Sequence, residues 1–123
     1  MKKDIKDSKD IELLVNTFYD KVKKDEVIGY FFTEVMKTNW DNHLQTMYKF
    51  WNNVLFFSGD YSGNPMEVHK KVNAKSPLEN KHFLHWTKLF QETVDLLFEG
   101  DNAEQIKQRA ASISTVMSLK ISF

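Results

Sequence analysis

The sequence predicts an all-α protein. Apolar residues recur at three- and four-residue spacing in four separate segments, and no run alternates apolar and polar positions as a half-buried strand would. Glycine and proline, four and two in 123 residues, stand at the boundaries of those segments rather than inside them.

In the first segment Ile11, Leu14, Val15, Phe18, Tyr19 and Val22 form one helical face, with Asp7 or Ser8 as its cap. A short aromatic piece, IGYFF (28–32), follows. Trp40, His43, Leu44, Met47, Phe50, Trp51, Val54 and Phe57 then keep the same rhythm for about five turns, the most strongly amphipathic stretch of the chain. After the glycine-rich loop SGDYSGNP (58–65), PMEVHKKV is expected to make one or two helical turns with Met66 and His69 on one side. Ser76-Pro77-Leu78-Glu79 has the form of a capping box with proline at the first helical position. The next helix is therefore expected from Pro77 to about Phe98, with Trp86, Leu89, Phe90, Thr93 and Leu97 inward and Gly100 ending it. Asp101-Asn102-Ala103-Glu104 reads as a second box, opening a last helix that buries Ile106, Ala110, Ile113 and Met117.

Composition narrows the chemistry. Seventeen basic and seventeen acidic residues leave no net charge, so no field draws polyanions and nucleic acid is not an expected partner. With no cysteine, disulfides, Cys-ligated zinc, iron–sulfur clusters and thiolate nucleophiles are excluded. The length suits one domain over residues 1–123. The charged opening MKKDIKDSKD lacks the apolar stretch of a signal peptide, and no window approaches the roughly 18 apolar residues of a membrane span. A cytoplasmic protein that binds no membrane is expected, and a monomer. No GxSxG, GxxxxGK[ST] or GxGxxG is present, and the acids fall mainly on polar helix faces. Ten Phe, four Tyr and three Trp, 14% of the chain, imply either an aromatic core or a cavity for something flat.

The four histidines are the remaining candidates for chemistry. His82 and His85, three apart on a helix, could share a metal in a small hydrolase, but HxxH without a third ligand is more often structural or solvent-facing. His43 lies on an apolar face between Trp40 and Met47, where spacing alone fits a satisfied core histidine as well as a ligand. His69 follows a flexible loop that lets its segment adjust to whatever it ligates. Tyr19 brings a phenol to the inward face of the first helix, where a buried hydroxyl needs a partner.

An ordered set of segments carries a resemblance: FYDKV (18–22), IGYFF (28–32), WDNH (40–43) with FW (50–51), GDYSGNPMEVH (59–69), HFLHWTKLFQETVDLLFEG (82–100) and AEQIKQRAASI (103–113). In that order they resemble the truncated, two-over-two haemoglobins of bacteria, group III. The resemblance implies a globin-like two-over-two helical sandwich holding haem b, with His69 as proximal iron ligand. It also implies a distal side formed by Tyr19, His43, Trp86 and Phe18, and a porphyrin packed by Phe32, Met47, Phe50, Met66 and Trp86. Function would be reversible binding of dioxygen, or of NO or CO, by a ligand-binding protein rather than an enzyme. Nitric-oxide-detoxifying or peroxidase-like redox activity, served by an unidentified reductase, would be secondary. A haem-free globin-fold sensor or interaction module is the alternative. One departure stands out: after His69 the chain runs Lys70-Lys71-Val72-Asn73-Ala74, basic but without the proline that family members often carry there. Lys70 and Lys71 are the candidates for reaching the haem propionates.

Overall fold

The computed structural model describes residues 2–35, 37–59, 61 and 65–122, with the side chains of 65–67 and 120–122 outside the described residues. Five helices follow one another: α1 (Ser8–Lys24), α2 (Trp40–Phe56), α3 (Pro65–Lys75), α4 (Asn80–Leu97) and α5 (Asp101–Ser122), with a π-helical turn at Phe31–Val35. No strand occurs among the described residues. None of their helices is long and apolar enough to cross a membrane.

α1 pairs with α2 and α4 with α5, and the two pairs meet where α1 packs on α4 and α2 on α5. This is the two-over-two helical sandwich that the resemblance implies. α3 packs on α5 and on the π-helical turn. At the centre of the sandwich Ile11, Leu14, Val15, Phe18, Phe90, Val94 and Ile106 are buried together.

α1 matches its pattern. Asp7 caps it, its side chain accepting from Asp10 N–H at 3.1 Å, and the six expected residues are buried. Three lysines in the last turn complement the helix dipole. The chain then turns on Asp25, whose carboxylate accepts the amides of Val27 and Ile28 at 2.8 and 2.9 Å. At Gly29 a Cβ would stand 2.7 Å from Val22 O, so only glycine lets the aromatic piece fold back this closely. The π-helical turn that follows is closed by Thr38 N–H donating to Phe32 O at 2.9 Å. Such widened turns re-aim side chains near functional sites.

Several boundaries differ from expectation, each for a local reason. Phe57 does not close the inward face of α2: it sits beyond the helix in a left-handed C-cap (φ 57) and is 74% exposed. α2 itself buries only Trp51 and Leu55. Of the half-buried rest of its apolar face, His43, Met47 and Phe50 border a cavity, while Leu44, Tyr48 and Val54 pack partly exposed against the core. α3 is longer than one or two turns and runs to Lys75. α4 starts at Asn80, not Pro77, because Asn73 Oδ1 takes Leu78 N–H at 2.7 Å and holds the Ser76–Leu78 stretch extended.

The cap of α5 comes from the far end of the chain rather than from Asp101. Asp4 accepts the amides of Asn102 and Ala103 at 2.9 Å each, while Asn102 Nδ2 donates to Ile5 O at 2.6 Å. Ile5, fully buried, anchors the strap. Gly100, at φ 142, lies so close that a Cβ there would stand 2.5 Å from Asp4 Cγ. Side chain and backbone conformation both demand glycine.

Candidate functional site

A cavity of about 230 Å³ opens between the two helix pairs and α3. One water needs roughly 10–15 Å³ of such space, so this is a ligand-sized void rather than a packing defect. α1 contributes Tyr19, and the segment after it Ile28, Phe31 and Phe32. α2 gives His43, Thr46, Met47, Phe50 and Trp51; α3 gives Val68, His69 and Val72; α4 gives His82, Phe83 and Trp86; α5 gives Ile113, Ser114 and Met117. Tyr61 and Leu78 complete the wall. Tyr19, Phe32, His43, Met47, Phe50, His69 and Trp86 thus come together from four helices and the π-helical turn.

Phe18 is the exception. It is fully buried one layer behind the wall, edge-on to Tyr19, Trp86 and Phe90 at 4.9, 5.7 and 5.2 Å. Neighbouring residues on a helix point about 100° apart, so with Tyr19 on the cavity Phe18 faces the core. The Met66 side chain lies outside the described residues.

The cavity is bordered at one end by a cluster of rings. Tyr19 stands edge-on to His43 at 4.9 Å and to Phe32 at 5.7 Å, and Trp40 stacks on Phe32 at 5.8 Å. Lys23 Nζ lies 4.5 Å from the centre of the Trp40 ring, a cation–π contact. Burial alone raises the Tyr19 phenol well above its ordinary range, so it stays protonated and able to donate. His43 is pushed down to about 4, first by burial and then by the charge of His69, and is neutral at pH 7. Its Nε2 is buried without a hydrogen-bond partner, as is Thr38 Oγ1 nearby in sequence.

A second cluster holds Trp86. Its indole stacks on Phe90 at 5.5 Å (10° between planes) and on Trp51 at 6.3 Å (18°). His69 lies across from Phe83, ring centres 6.3 Å apart.

His82 and His85 are engaged in the scaffold. His82 Nδ1 accepts Glu79 N–H at 2.9 Å, closing the first turn of α4. His85 Nε2 meets Asp25 Oδ2 at 2.7 Å, tying the α1 turn to α4 beside Trp86. Burial pushes the Asp25 carboxyl up, but His85 and the amides of Ile28 and Val27 outweigh it and leave it lowered. Among the described residues no three His, Asp or Glu side chains gather as a metal site, so the hydrolase expectation for this pair finds no support. Among the described residues the cavity wall carries three histidines and no carboxylate, which suits a large apolar ligand better than a bare cation.

Trp51, Tyr61 and Phe83 are wall residues that sequence reasoning did not single out. Phe83 had a signal, since Phe83, Trp86 and Phe90 fall at i, i+3 and i+7 on one stripe. Tyr61 had none: it lies in the glycine loop and reaches the wall through contact with Phe50 at 5.0 Å.

No protein-family model matches the sequence. The group 3 truncated hemoglobin ctb of Campylobacter jejuni is 32% identical over 108 residues, which span 85% of this chain and 83% of the relative. A crystal structure of group III truncated hemoglobin from Campylobacter jejuni superposes with a TM-score of 0.86 at 28% identity, covering 98% of this chain and 95% of that one.

Proposed function

We propose that this chain, which belongs to the group 3 truncated haemoglobins, binds one haem b in the cavity and holds dioxygen, or NO or CO, there. The observation that carries the reading is the meeting of His69 with Tyr19, His43 and Trp86 on one apolar wall. The residues fit the group. Neutral imidazole is an axial ligand for haem iron, and Phe32, Met47, Phe50 and Trp86 offer flat or pliable apolar surface to a porphyrin. The buried, unpartnered Nε2 of His43 is the kind of group that a bound ligand satisfies. Without cysteine, attachment is non-covalent and the haem extractable.

When bound, the haem would supply an iron able to take up a small ligand. The chain's part is to steer that ligand. Tyr19 stays protonated, and the Trp86 ring is held in place by stacking on Trp51 and Phe90. A phenol O–H and an indole N–H donating to a ligand of partial negative charge contribute about 1.4 kcal/mol each, near tenfold slower release per donor. Slow release suits retention or reaction of the ligand more than its delivery. Nitric oxide detoxification or peroxidase-like turnover, with electrons from a separate reductase, is proposed as secondary to binding.

The absorption spectrum of the purified or haem-reconstituted chain tests this. A Soret band that is lost in His69→Ala is expected. If reconstitution yields no Soret band, the alternative of a haem-free globin scaffold takes its place.

A further inference from the structure

Haem is amphipathic, with two carboxylates on one edge of an otherwise apolar plate, and those carboxylates need donors at the cavity rim. Among the described residues the wall carries no lysine or arginine. Lys70 and Lys71, next to His69 in sequence, are absent from it. Two wall hydroxyls have already spent their protons: Ser114 Oγ donates to Phe83 O at 3.1 Å and Thr46 Oγ1 to Asn42 O at 3.0 Å.

His82 is different. Its ring is a half-buried part of the wall, edge-on to Phe31 at 4.8 Å, between apolar lining and the surface. Because Nδ1 accepts the Glu79 amide, the single proton of the neutral ring must sit on Nε2. Of the charges beside the ring, Glu79 is paired to Lys81 at 3.4 Å. Burial, and then Lys81, lower His82 from its ordinary value, which keeps the ring neutral and the tautomer unchanged around pH 7.

Resting on the haem reading above, we propose that His82 Nε2–H donates a hydrogen bond to one haem propionate. The backbone amide of Glu79 thereby sets the proton, and the π-helical turn, through Phe31, sets the ring. This assigns to α4 a contact for which the resemblance offered the basic pair after His69 as candidates.

Haemin and haemin dimethyl ester, which lacks the anionic carboxylates, discriminate between this and a purely structural role. The full chain is titrated with each probe and the affinities compared. Wild type is expected to prefer the free acid, and His82→Phe to lower that preference by about tenfold, the worth of a hydrogen bond to a charged acceptor. His82→Gln, which retains an N–H donor, should recover part of it. Losing the Glu79 cap weakens binding of both probes alike and cancels in the ratio. A preference unchanged in His82→Phe, or lost in Tyr61→Phe instead, overturns the assignment. So does a wild type that binds both probes equally, whereas a wild type that binds neither refutes the haem reading itself.

Discussion

Two aromatic clusters border the same cavity, and they obey opposite rules. Trp51, Trp86 and Phe90 form a column with planes 10–22° apart and Phe18 wedged edge-on against it. Trp51 and Phe90 are almost wholly buried. At the other end Tyr19, Phe32, Trp40 and His43 meet mostly edge-on, with a phenol and an imidazole among them. The imidazole Nε2 of His43 is buried without a partner, at a cost of about 1–3 kcal/mol. The column maximises dispersion and holds Trp86 still, while the other cluster gives up stability where a ligand could restore it.

Phe90→Ala should break this contrast most severely. Removing a fully buried ring from the centre of the stack costs about 3–5 kcal/mol, read as a drop in urea midpoint at unchanged m-value. A loss below about 1 kcal/mol would mean that the column is decoration on a core that stands without it.

The polar cluster predicts a pH effect of the opposite sense. His43 has its folded pKa pushed down to about 4 from 6.5, so between those values the unfolded chain binds the extra proton and stability falls as pH drops. Below about pH 4 both states are protonated and the loss is complete, at up to about 3 kcal/mol in the haem-free chain. Asp25 and Asp10, lowered from 3.8, contribute stability that is present above that value and lost below it, in a separate, more acid window. His43→Leu should therefore make the fall in urea-measured stability between pH 6.5 and 4 shallower, leaving the part owed to His82 and the decline below 4 in place. A His43→Leu profile parallel to wild type would show that the imidazole is not held neutral by its surroundings.

The contrast also marks how far sequence alone reaches. Helical periodicity recovered α1 residue by residue, and Tyr19, Phe32, His43, Met47, Phe50, His69 and Trp86 line one cavity. Where the pattern misleads, a long-range partner or a cavity intervenes. Asp4, 98 residues from Asn102, caps α5, a contact that no local motif announces. Asn73 delays the start of α4 past Pro77 by binding Leu78. Phe18 and Tyr19 are equally aromatic neighbours, and only packing decides which one faces the cavity. The half-buried face of α2 shows why amphipathicity overstates burial: the spacing of apolar residues fixes which way a helix turns its apolar side, not whether protein or empty space lies opposite.

Tyr19→Phe gives the smallest of these effects and tests the polar cluster at a single atom. The substitution keeps the ring contacts with Phe18, Phe32 and His43 and removes one hydroxyl, so haem binding and fold stability should hold nearly constant. If the phenol donates to the bound ligand, oxygen dissociation from the haem-loaded protein rises about tenfold, the worth of about 1.4 kcal/mol. Stopped-flow displacement by CO reads that rate directly. An unchanged rate would move the donor's role to Trp86, whose indole belongs to the stacked column, and the two clusters would then exchange their parts: the rigid one would bind the ligand and the polar one would only border it.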